Sequence, residues 1–340
     1  MAVLPYCLTF LIPATVFAGM LLGGGWTYFT VVFVFGLVPL LDVPLGYELR
    51  NDPPRRSGPF RFVLYSHAVM QAFLLVSAAC YVALGDATLL EKIGVTLCTG
   101  LSTGGIGITI AHELVHKTDP NDRFMGNAFL ASVCYMHFAI EHVIGHHSRV
   151  GTPQDPATAR RGETLYAFLP RTLIDSLRSA WDIEQRRIRK RGLSPLLDNK
   201  FLGIFGFPLI IAALAFETLG PAAVLFYFAQ SAVAFTLLEI VNYVEHYGLE
   251  RRELAPGRWE PVSPAHSWDA DQRLTNWFLF RLQRHADHHM HPLRPYQTLR
   301  HVEDSPKLPL GYPGMVVLAL VPPLWRAVMH PRLDAWRRME

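Results

Sequence analysis

Cysteine and charge are both scarce in this sequence. Charged residues make up 17% of the 340 residues and the formal net charge is +3, so nothing indicates binding to nucleic acid. No two of the four cysteines stand in a CxxC pair, which argues against a zinc ribbon or a four-cysteine iron site. We interpret them as small buried apolar residues. They are Cys7, Cys80, Cys98 and Cys134.

Apolar residues, in contrast, are abundant and clumped. They make up 51% of the chain, and the charges are concentrated between the apolar stretches. Several stretches reach the roughly 18 to 25 apolar residues that cross a hydrocarbon core of about 30 Å. We therefore predict an all-α polytopic membrane protein whose residues 1–340 form a single domain. The six predicted spans are residues 6–22, 28–45, 60–84, 93–110, 201–219 and 222–240.

Two apolar stretches have an alternative interpretation. The first span has no Lys or Arg before it and no defensible cleavage site, so we interpret it as a retained helix and not as a signal peptide. The stretch from Met315 to Leu324 is ended too early by Pro322 and Pro323 to cross the membrane.

The distribution of basic residues predicts the orientation. Six spans place both termini and the two long polar regions, residues 111–200 and 242–340, on one side of the membrane. Most Arg and Lys residues lie on that side, including Arg50, Arg55 and Arg56 in the loop after the second span. The opposite side has only short turns. By the positive-inside rule, the basic side is cytoplasmic.

The polar regions contain most of the potential metal ligands. Histidines recur there at spacings of three and four residues, which place side chains on one face of a helix. Neutral imidazole is a ligand for zinc, copper, iron and nickel. The candidates are His112 and His116 in HELVHK, His142, His146 and His147 in EHVIGHH, His246 in NYVEHYGL, and His285, His288 and His289 in RHADHH. His246 is predicted one turn past the sixth span, at the same depth as His112 past the fourth.

The number of histidines decides between metal sites. HELVH matches the HExxH motif of zinc peptidases, but that site needs only one further ligand. Nine histidines are more ligands than one four-coordinate zinc ion can bind. They suit two metal ions with five or six coordination positions each. A membrane metal carrier without catalysis is an alternative. It predicts ionisable groups along the spans, and apart from His67 and Glu239 these are nearly absent.

The other histidines are interpreted as hydrogen-bonded structural residues. They are His67, His266, His291, His301 and His330. Only His137 is retained as a residue that could orient a ligand.

Several carboxylates adjoin the candidate ligands. They point about 100° away from the neighbouring imidazole, so they are poor ligands of the same metal. They either orient an imidazole by a hydrogen bond or form ordinary salt bridges. They are Glu113, Glu141, Glu245 and Asp287. Asp155, in TPQDPATAR, either orients a histidine in the same way or shapes its own turn.

These motifs carry a family resemblance. HELVHK, EHVIGHHSRVGTPQDPATAR, NYVEHYGL and LQRHADHHMHPLRPYQTLR resemble the membrane alkane 1-monooxygenases, a branch of the integral-membrane di-iron desaturases and hydroxylases. The histidine boxes are common to the superfamily, whereas NYVEHYGL and the run through YQTLR resemble the alkane hydroxylase branch. GYPGMVVLALVPPLWRAVMHPR extends the resemblance towards the C-terminus. The chain departs from the family pattern at Val115, Val143, Ile144, Gln154 and His291.

The resemblance implies a reaction, a cofactor and a location. The reaction is hydroxylation of the terminal methyl group of medium-chain n-alkanes by O₂, at two non-haem irons cycling between Fe²⁺ and Fe³⁺. All nine candidate histidines are carried over as iron ligands. The location is a bacterial inner membrane, with the site facing the cytoplasm. An apolar bore between the spans would admit the alkane from the lipid, and bulky residues such as Phe73 or Leu238 would limit its length.

The resemblance also implies a redox partner. The chain has no flavin or nucleotide fingerprint, so electrons must come from outside. The donor in this family is a rubredoxin, reduced by a NAD(P)H-dependent reductase. It is expected to dock on the basic surface near Arg149, Arg160, Arg161 or Arg294. Two related enzymes remain alternatives: an aromatic methyl hydroxylase such as xylene monooxygenase, and a fatty-acyl desaturase.

Overall fold

Six long apolar helices form the membrane part of the protein. The computed structural model describes residues 3–53 and 57–339, so Arg55 and Arg56 of the basic loop lie outside the described residues. Each predicted span corresponds to one helix that is long and apolar enough to cross a membrane. The six helices are α1 (Leu4–Leu22), α2 (Gly24–Leu45), α3 (Gly58–Leu84), α4 (Leu89–Val115), α8 (Phe201–Leu219) and α9 (Pro221–His246). The protein is an all-α polytopic membrane protein, as predicted.

The remaining elements lie between and after these helices. The helices are α5 (Pro120–Ala131), α6 (residues 138–149), α7 (Leu165–Arg191), α10 (Arg273–Phe278), α11 (His285–Met290), α12 (Tyr312–Ala319) and α13 (Pro322–Arg337). A short antiparallel hairpin joins β1 (Glu253–Ala255) to β2 (Arg258–Trp259). Single 3₁₀ turns occupy Pro264–His266 and Tyr296–Thr298.

Two of the spans extend well beyond their predicted C-terminal ends, and these extensions carry candidate ligands. α4 continues past Ile110 to Val115 and α9 past Ile240 to His246. The polar residues of both extensions are buried by the surrounding polar region, so the helices continue where the apolar sequence ends. His246 is therefore the last residue of α9, and the prediction that it lies one turn beyond the span is wrong.

α4 is the central helix of the bundle. Its most apolar stretch is 78% buried, against 17% for α2 and for α8. Glycines allow α9 to approach it closely: a Cβ atom on Gly104 would lie 2.7 Å from the carbonyl oxygen of Ala234 and 2.8 Å from its Cα. The small residues of the fourth span thus serve the close helix contact that such residues favour in membranes.

This contact gives a stability prediction. Gly104→Ala is expected to lower the free energy of unfolding by about 1–3 kcal/mol, because the added methyl group meets backbone that cannot move aside. Gly105→Ala is the matched control, since its nearest neighbour would be Cδ2 of Leu237 at 3.8 Å. Thermal unfolding of both variants in lipid would measure the difference. Equal melting temperatures would contradict the close packing of α4 on α9.

The end of α9 is held by an aromatic cluster. Tyr243 and Tyr247 pack against Trp325 of α13 at ring-centroid distances of 5.0 and 5.2 Å. The Tyr243 hydroxyl donates a hydrogen bond to the Glu163 carbonyl at 2.7 Å. The indole N–H of Trp268 donates to the Tyr247 carbonyl at 2.9 Å. These contacts fix the last turn of α9, which carries His246.

Candidate metal centre

The structure brings all nine candidate histidines together in two adjacent groups. Within each group, one ring nitrogen from every histidine lies within 4.8 Å of the others. The first histidine group consists of His112, His116, His142, His147 and His288. The second histidine group consists of His146, His246, His285 and His289. Nearly all of these side chains are buried, and each group is large enough to surround one metal ion.

The division into groups differs from the clusters expected from spacing. A π-helical turn, Glu141–His146, interrupts α6. A π turn places residues five apart on one face, and the Nε2 atoms of His142 and His147 lie 3.1 Å apart in the first group. His146, expected to share a face with His142, belongs to the second group.

The histidines of α11 are also divided between the groups. His285 and His289 have Nε2 atoms 3.0 Å apart in the second group. The Nε2 atom of His288 instead lies 3.1 Å from that of His147 in the first group. One helical turn therefore contributes to both groups, so the two candidate metal positions are neighbours.

Several buried ring nitrogens indicate that a cation fits each group. In the described part of the chain, the Nε2 atoms of His112, His116 and His146 have no hydrogen-bond partner. A buried polar atom left unpaired costs about 1–3 kcal/mol. A metal ion would remove that cost, and an all-imidazole donor set suits iron as well as zinc, copper and nickel.

Burial also keeps most of these imidazoles neutral. It lowers the pKa of His116 to about 3, and the neighbouring Lys117 and His146 add to the effect. Burial likewise lowers the pKa of His142, His147 and His288 well below the usual range. A neutral imidazole has a free nitrogen lone pair, so the folded protein presents these histidines in the form that binds metals.

Asp155 orients one ligand candidate. Its Oδ2 atom lies 2.9 Å from Nδ1 of His146 and accepts a hydrogen bond from the Thr158 hydroxyl at 2.6 Å. Its Oδ1 atom accepts from the backbone N–H of Ala157 at 3.3 Å. Asp155 therefore has both roles considered from the sequence: it shapes its turn and it fixes the His146 ring with Nε2 towards the second group.

Removing that carboxylate should weaken metal binding. Asp155→Asn is expected to increase iron loss to a chelator about 10–100-fold, the usual effect of losing a carboxylate that orients a metal-binding histidine. Asp175→Asn, on the surface of α7, is the control. The measurement is retained iron per protein against chelator concentration. Equal retention of iron in both variants would mean that Asp155 stabilises its own turn and does not support metal binding.

The four carboxylates next to ligand candidates behave differently from one another. Only Glu245 contacts a ligand candidate, with Oε2 at 3.2 Å from Nε2 of His285. The others bind cations: Glu113 pairs with Lys117 at 2.8 Å, Glu141 with Arg149 at 2.8 Å, and Asp287 with Arg294. For these three, the salt-bridge alternative is the one observed.

Most of the remaining histidines have structural partners, as predicted. His67 bonds to Thr9 at 2.7 Å, His301 to Asp271 at 2.9 Å, and His330 to Tyr247 at 2.9 Å. His266 lies 3.3 Å from Glu260, and its carbonyl oxygen lies 3.3 Å from Nδ1 of His246. His291 is exposed. Its backbone N–H donates to the Asp287 carbonyl at 2.9 Å, but the described contacts include no hydrogen bond of its side chain.

His137 remains a candidate for an indirect role. It lines a cavity of about 10 Å³ together with His142 and Glu239, which is close to the space of one water molecule. Its Nε2 atom has no partner in the described part of the chain. A direct contact between His137 and a ligand candidate is not among the described contacts.

A narrow apolar cavity leads to the first histidine group. We call it the bore; its volume is about 70 Å³ and it is enclosed by α1, α2, α4, α9, α10 and α12. Its lining includes His112 and is otherwise almost entirely apolar. The lining residues are Ile12, Val34, Phe35, Val38, Leu101, Gly104, Gly105, Ile108, Thr109, His112, Leu237, Leu238, Val241, Thr275, Phe278, Leu279, Leu282, Tyr312, Pro313 and Val316.

The bore follows one face of α4. The residues of α4 that line the bore recur at steps of three and one, which is the spacing of a single helical face. They are Leu101, Gly104, Gly105, Ile108, Thr109 and His112. Leu238 lines the bore as expected. Phe73 does not: it is 62% exposed and stacks on Phe17.

Comparison with known proteins agrees with this arrangement. The fatty acid desaturase family matches residues 91–319. An alkane 1-monooxygenase of Pseudomonas aeruginosa is 44% identical over 324 residues, covering 92% of this chain and 84% of the relative. The chain belongs to the alkane 1-monooxygenase family. A second alkane 1-monooxygenase, from Alcanivorax borkumensis, is 39% identical and covers 96% of this chain and 88% of that protein.

Within the wider superfamily, the alkane 1-monooxygenase family is the better match. The xylene/toluene monooxygenase hydroxylase component XylM of Pseudomonas putida is 27% identical over 334 residues, with 96% of this chain and 89% of the relative covered. The family and the superfamily inferred from the histidine motifs are both confirmed.

Proposed function

We propose that the protein is an alkane 1-monooxygenase that hydroxylates the terminal methyl group of medium-chain n-alkanes with O₂. The overall reaction converts R–CH₃, O₂, two electrons and two protons into R–CH₂OH and water. The observation that carries this proposal is the bore, because an almost entirely apolar cavity follows one face of α4 to a ligand candidate, His112. Its walls suit an unbranched hydrocarbon.

The two histidine groups would hold two non-haem irons, five histidines around one and four around the other. When bound, the irons supply the reduction of O₂ and the oxidising power needed to break an unactivated C–H bond. Most of these imidazoles are buried and neutral, which supports this assignment because they present ligand atoms without competing protons. His146 is the exception, because Asp155 outweighs the effect of burial and raises its pKa. We propose that residues 1–340 act as one membrane-embedded catalytic domain, since α4 and α9 are shared by the bore and the metal centre.

The contribution of the chain to selectivity is positional. Terminal C–H bonds are stronger than internal ones, so reactivity alone would favour the interior of the alkane. A narrow bore admits the chain lengthwise and brings only its end to His112, so proximity determines which carbon reacts. The same apolar walls keep bulk water from the reacting carbon.

Competition between substrates tests the proposal against the two related enzymes. The iron-loaded protein in lipid would receive n-octane, p-xylene and an acyl substrate together, with an electron donor. The proposal predicts 1-octanol as the main product. A benzylic alcohol would favour an aromatic methyl hydroxylase, and a new double bond would favour a desaturase.

We propose that the histidine side faces the cytoplasm of a bacterial inner membrane, and that a rubredoxin reduced by a NAD(P)H-dependent reductase delivers the electrons there. A cleft of about 200 Å³ lies on this side, lined by Arg160 and Trp259 at its rim and by Asp155, which contacts His146. An acidic donor docked over Arg160 would thus lie near the second histidine group.

Charge reversal tests this docking position. Arg160→Glu is expected to weaken rubredoxin-driven turnover several-fold at low ionic strength and less at high salt, because screening removes the charge effect. Arg160 is a better target than Arg149 or Arg161, which pair with Glu141 and Asp334 and would disturb the fold when reversed. Arg186→Glu, at an exposed position on α7, is the control. Unchanged turnover at low salt would exclude docking at this cleft.

A further inference from the structure

A second cavity lies directly beside the bore. We call it the portal; its volume is about 130 Å³, and it is formed where α2 ends and where α10 and α12 begin. It shares Thr275 and Pro313 with the wall of the bore. At its outer side are Val43 and Tyr47, which are 75% and 58% exposed. The portal thus lies at the end of α2, which is Leu45.

Unlike the bore, the portal offers buried hydrogen-bond acceptors. Asp42 is 4% exposed, and its Oδ1 atom accepts the backbone N–H groups of Leu274 at 2.7 Å and Thr275 at 3.2 Å. Its Oδ2 atom has no hydrogen-bond partner in the described part of the chain. One oxygen therefore serves the start of α10, and the other is left to the cavity.

A second acceptor comes from the residue that precedes α10. Gln272 is 7% exposed, and its Nε2 atom donates to the Pro309 carbonyl at 3.3 Å. This bond fixes the side-chain amide with Oε1 as its free end. Among the described residues, that Oε1 atom has no donor either.

We infer that the portal binds the hydroxyl end of the primary alcohol that the enzyme produces, at the point where the product passes from the bore to the lipid–water interface. The inference rests on the proposed function. A primary alcohol carries one O–H donor that can pair with Asp42 or Gln272, whereas an alkane carries none. The acceptors of the portal can therefore bind the product through one hydrogen bond that the substrate cannot form. The hydroxyl end would lie against the acceptors of the portal, and the tail would stay among apolar side chains.

Lipid headgroups with an ammonium group offer donor chemistry of the same kind. We favour the alcohol because the portal shares Thr275 and Pro313 with the wall of the bore, and the bore is where the alcohol is formed. A headgroup site would need contact with the membrane surface only. Competition between the two ligands distinguishes them.

Photolabelling tests the inference without turnover. The probe is 1-decanol with a diazirine near its hydroxyl end, added to the iron-loaded protein in phosphatidylcholine nanodiscs without an electron donor. Mass spectrometry should locate the label on portal residues such as Tyr47 and Leu310. Unlabelled 1-decanol should compete, and n-decane and phosphatidylethanolamine should not.

Variants define the contribution of the portal. Gln272→Met, which removes the acceptor at similar size, is expected to reduce portal labelling about tenfold, the loss expected for one buried hydrogen bond. Val43→Trp keeps every polar contact and should reduce labelling by narrowing the mouth. Gln154→Met, at an exposed position on the polar side, is the control and should label as the unaltered protein does.

Three results would overturn the inference. They are labelling confined to the bore, equal competition by n-decane and 1-decanol, and displacement by phosphatidylethanolamine, which would make the portal a headgroup site. Because no electrons are supplied, portal labelling is independent of the proposed reaction. A protein that labels at the portal but forms no alkanol would refute the function and not the binding site.

Discussion

His142→Ala should lower alkane hydroxylation by more than a hundredfold and reduce bound iron from about two ions to about one per protein. The loss of a residue that merely orients a ligand costs about 10–100-fold, so the loss of a ligand should cost more. His142 lies in the first histidine group, with Nε2 at 3.1 Å from that of His147. His285→Ala should produce the same losses through the second group. Metal analysis of the purified variants, with alkanol formation, measures both effects.

His291→Ala is the matched control, because His291 is exposed and directly follows α11, which carries three of the candidate ligands. It should retain both irons and its activity. If His142→Ala kept two irons and full activity, the assignment of the first histidine group as a metal site would be wrong.

The second large effect concerns the length of the substrate. Gly105→Leu should reduce hydroxylation of n-dodecane more than tenfold and leave n-hexane much less affected. Gly105 lines the bore seven residues before His112 on α4. A Cβ atom there would meet only the Leu237 side chain, at 3.8 Å, so the larger side chain can occupy the bore without displacing backbone. It would leave room for a short chain only.

The ratio of 1-alkanols formed from an equimolar alkane mixture measures this shift. Phe73→Leu is the control, since Phe73 is 62% exposed and lies outside the bore. An unchanged product ratio in Gly105→Leu would show that the alkane does not lie along this face of α4. A changed ratio in Phe73→Leu would indicate a different path.

The spans could be predicted from sequence because their length and apolar composition are local properties. The same is true of the histidines, whose short spacings identify candidate ligands. What spacing could not give is their division between two groups. That division depends on the π-helical turn in α6 and on the position of α11, which directs His288 to one group and His285 and His289 to the other.

The sequence predicted that an apolar bore exists, but not which residues line it. α3 is apolar around most of its circumference, so the sequence did not indicate that Phe73 faces outward while Leu238 of α9 faces inward. The stretch at Met315 is indeed too short to span, yet α12 contributes Tyr312, Pro313 and Val316 to the bore. A short helix can line a cavity without crossing the membrane.

The most direct test of the account is gas chromatography of the products formed by the purified protein in lipid. The reaction would contain iron, rubredoxin, its reductase, NADH and a mixture of medium-chain n-alkanes. The account predicts 1-alkanols that are absent with His142→Ala. A protein that holds about two irons but forms no 1-alkanol would retain the metal centre and contradict the proposed reaction.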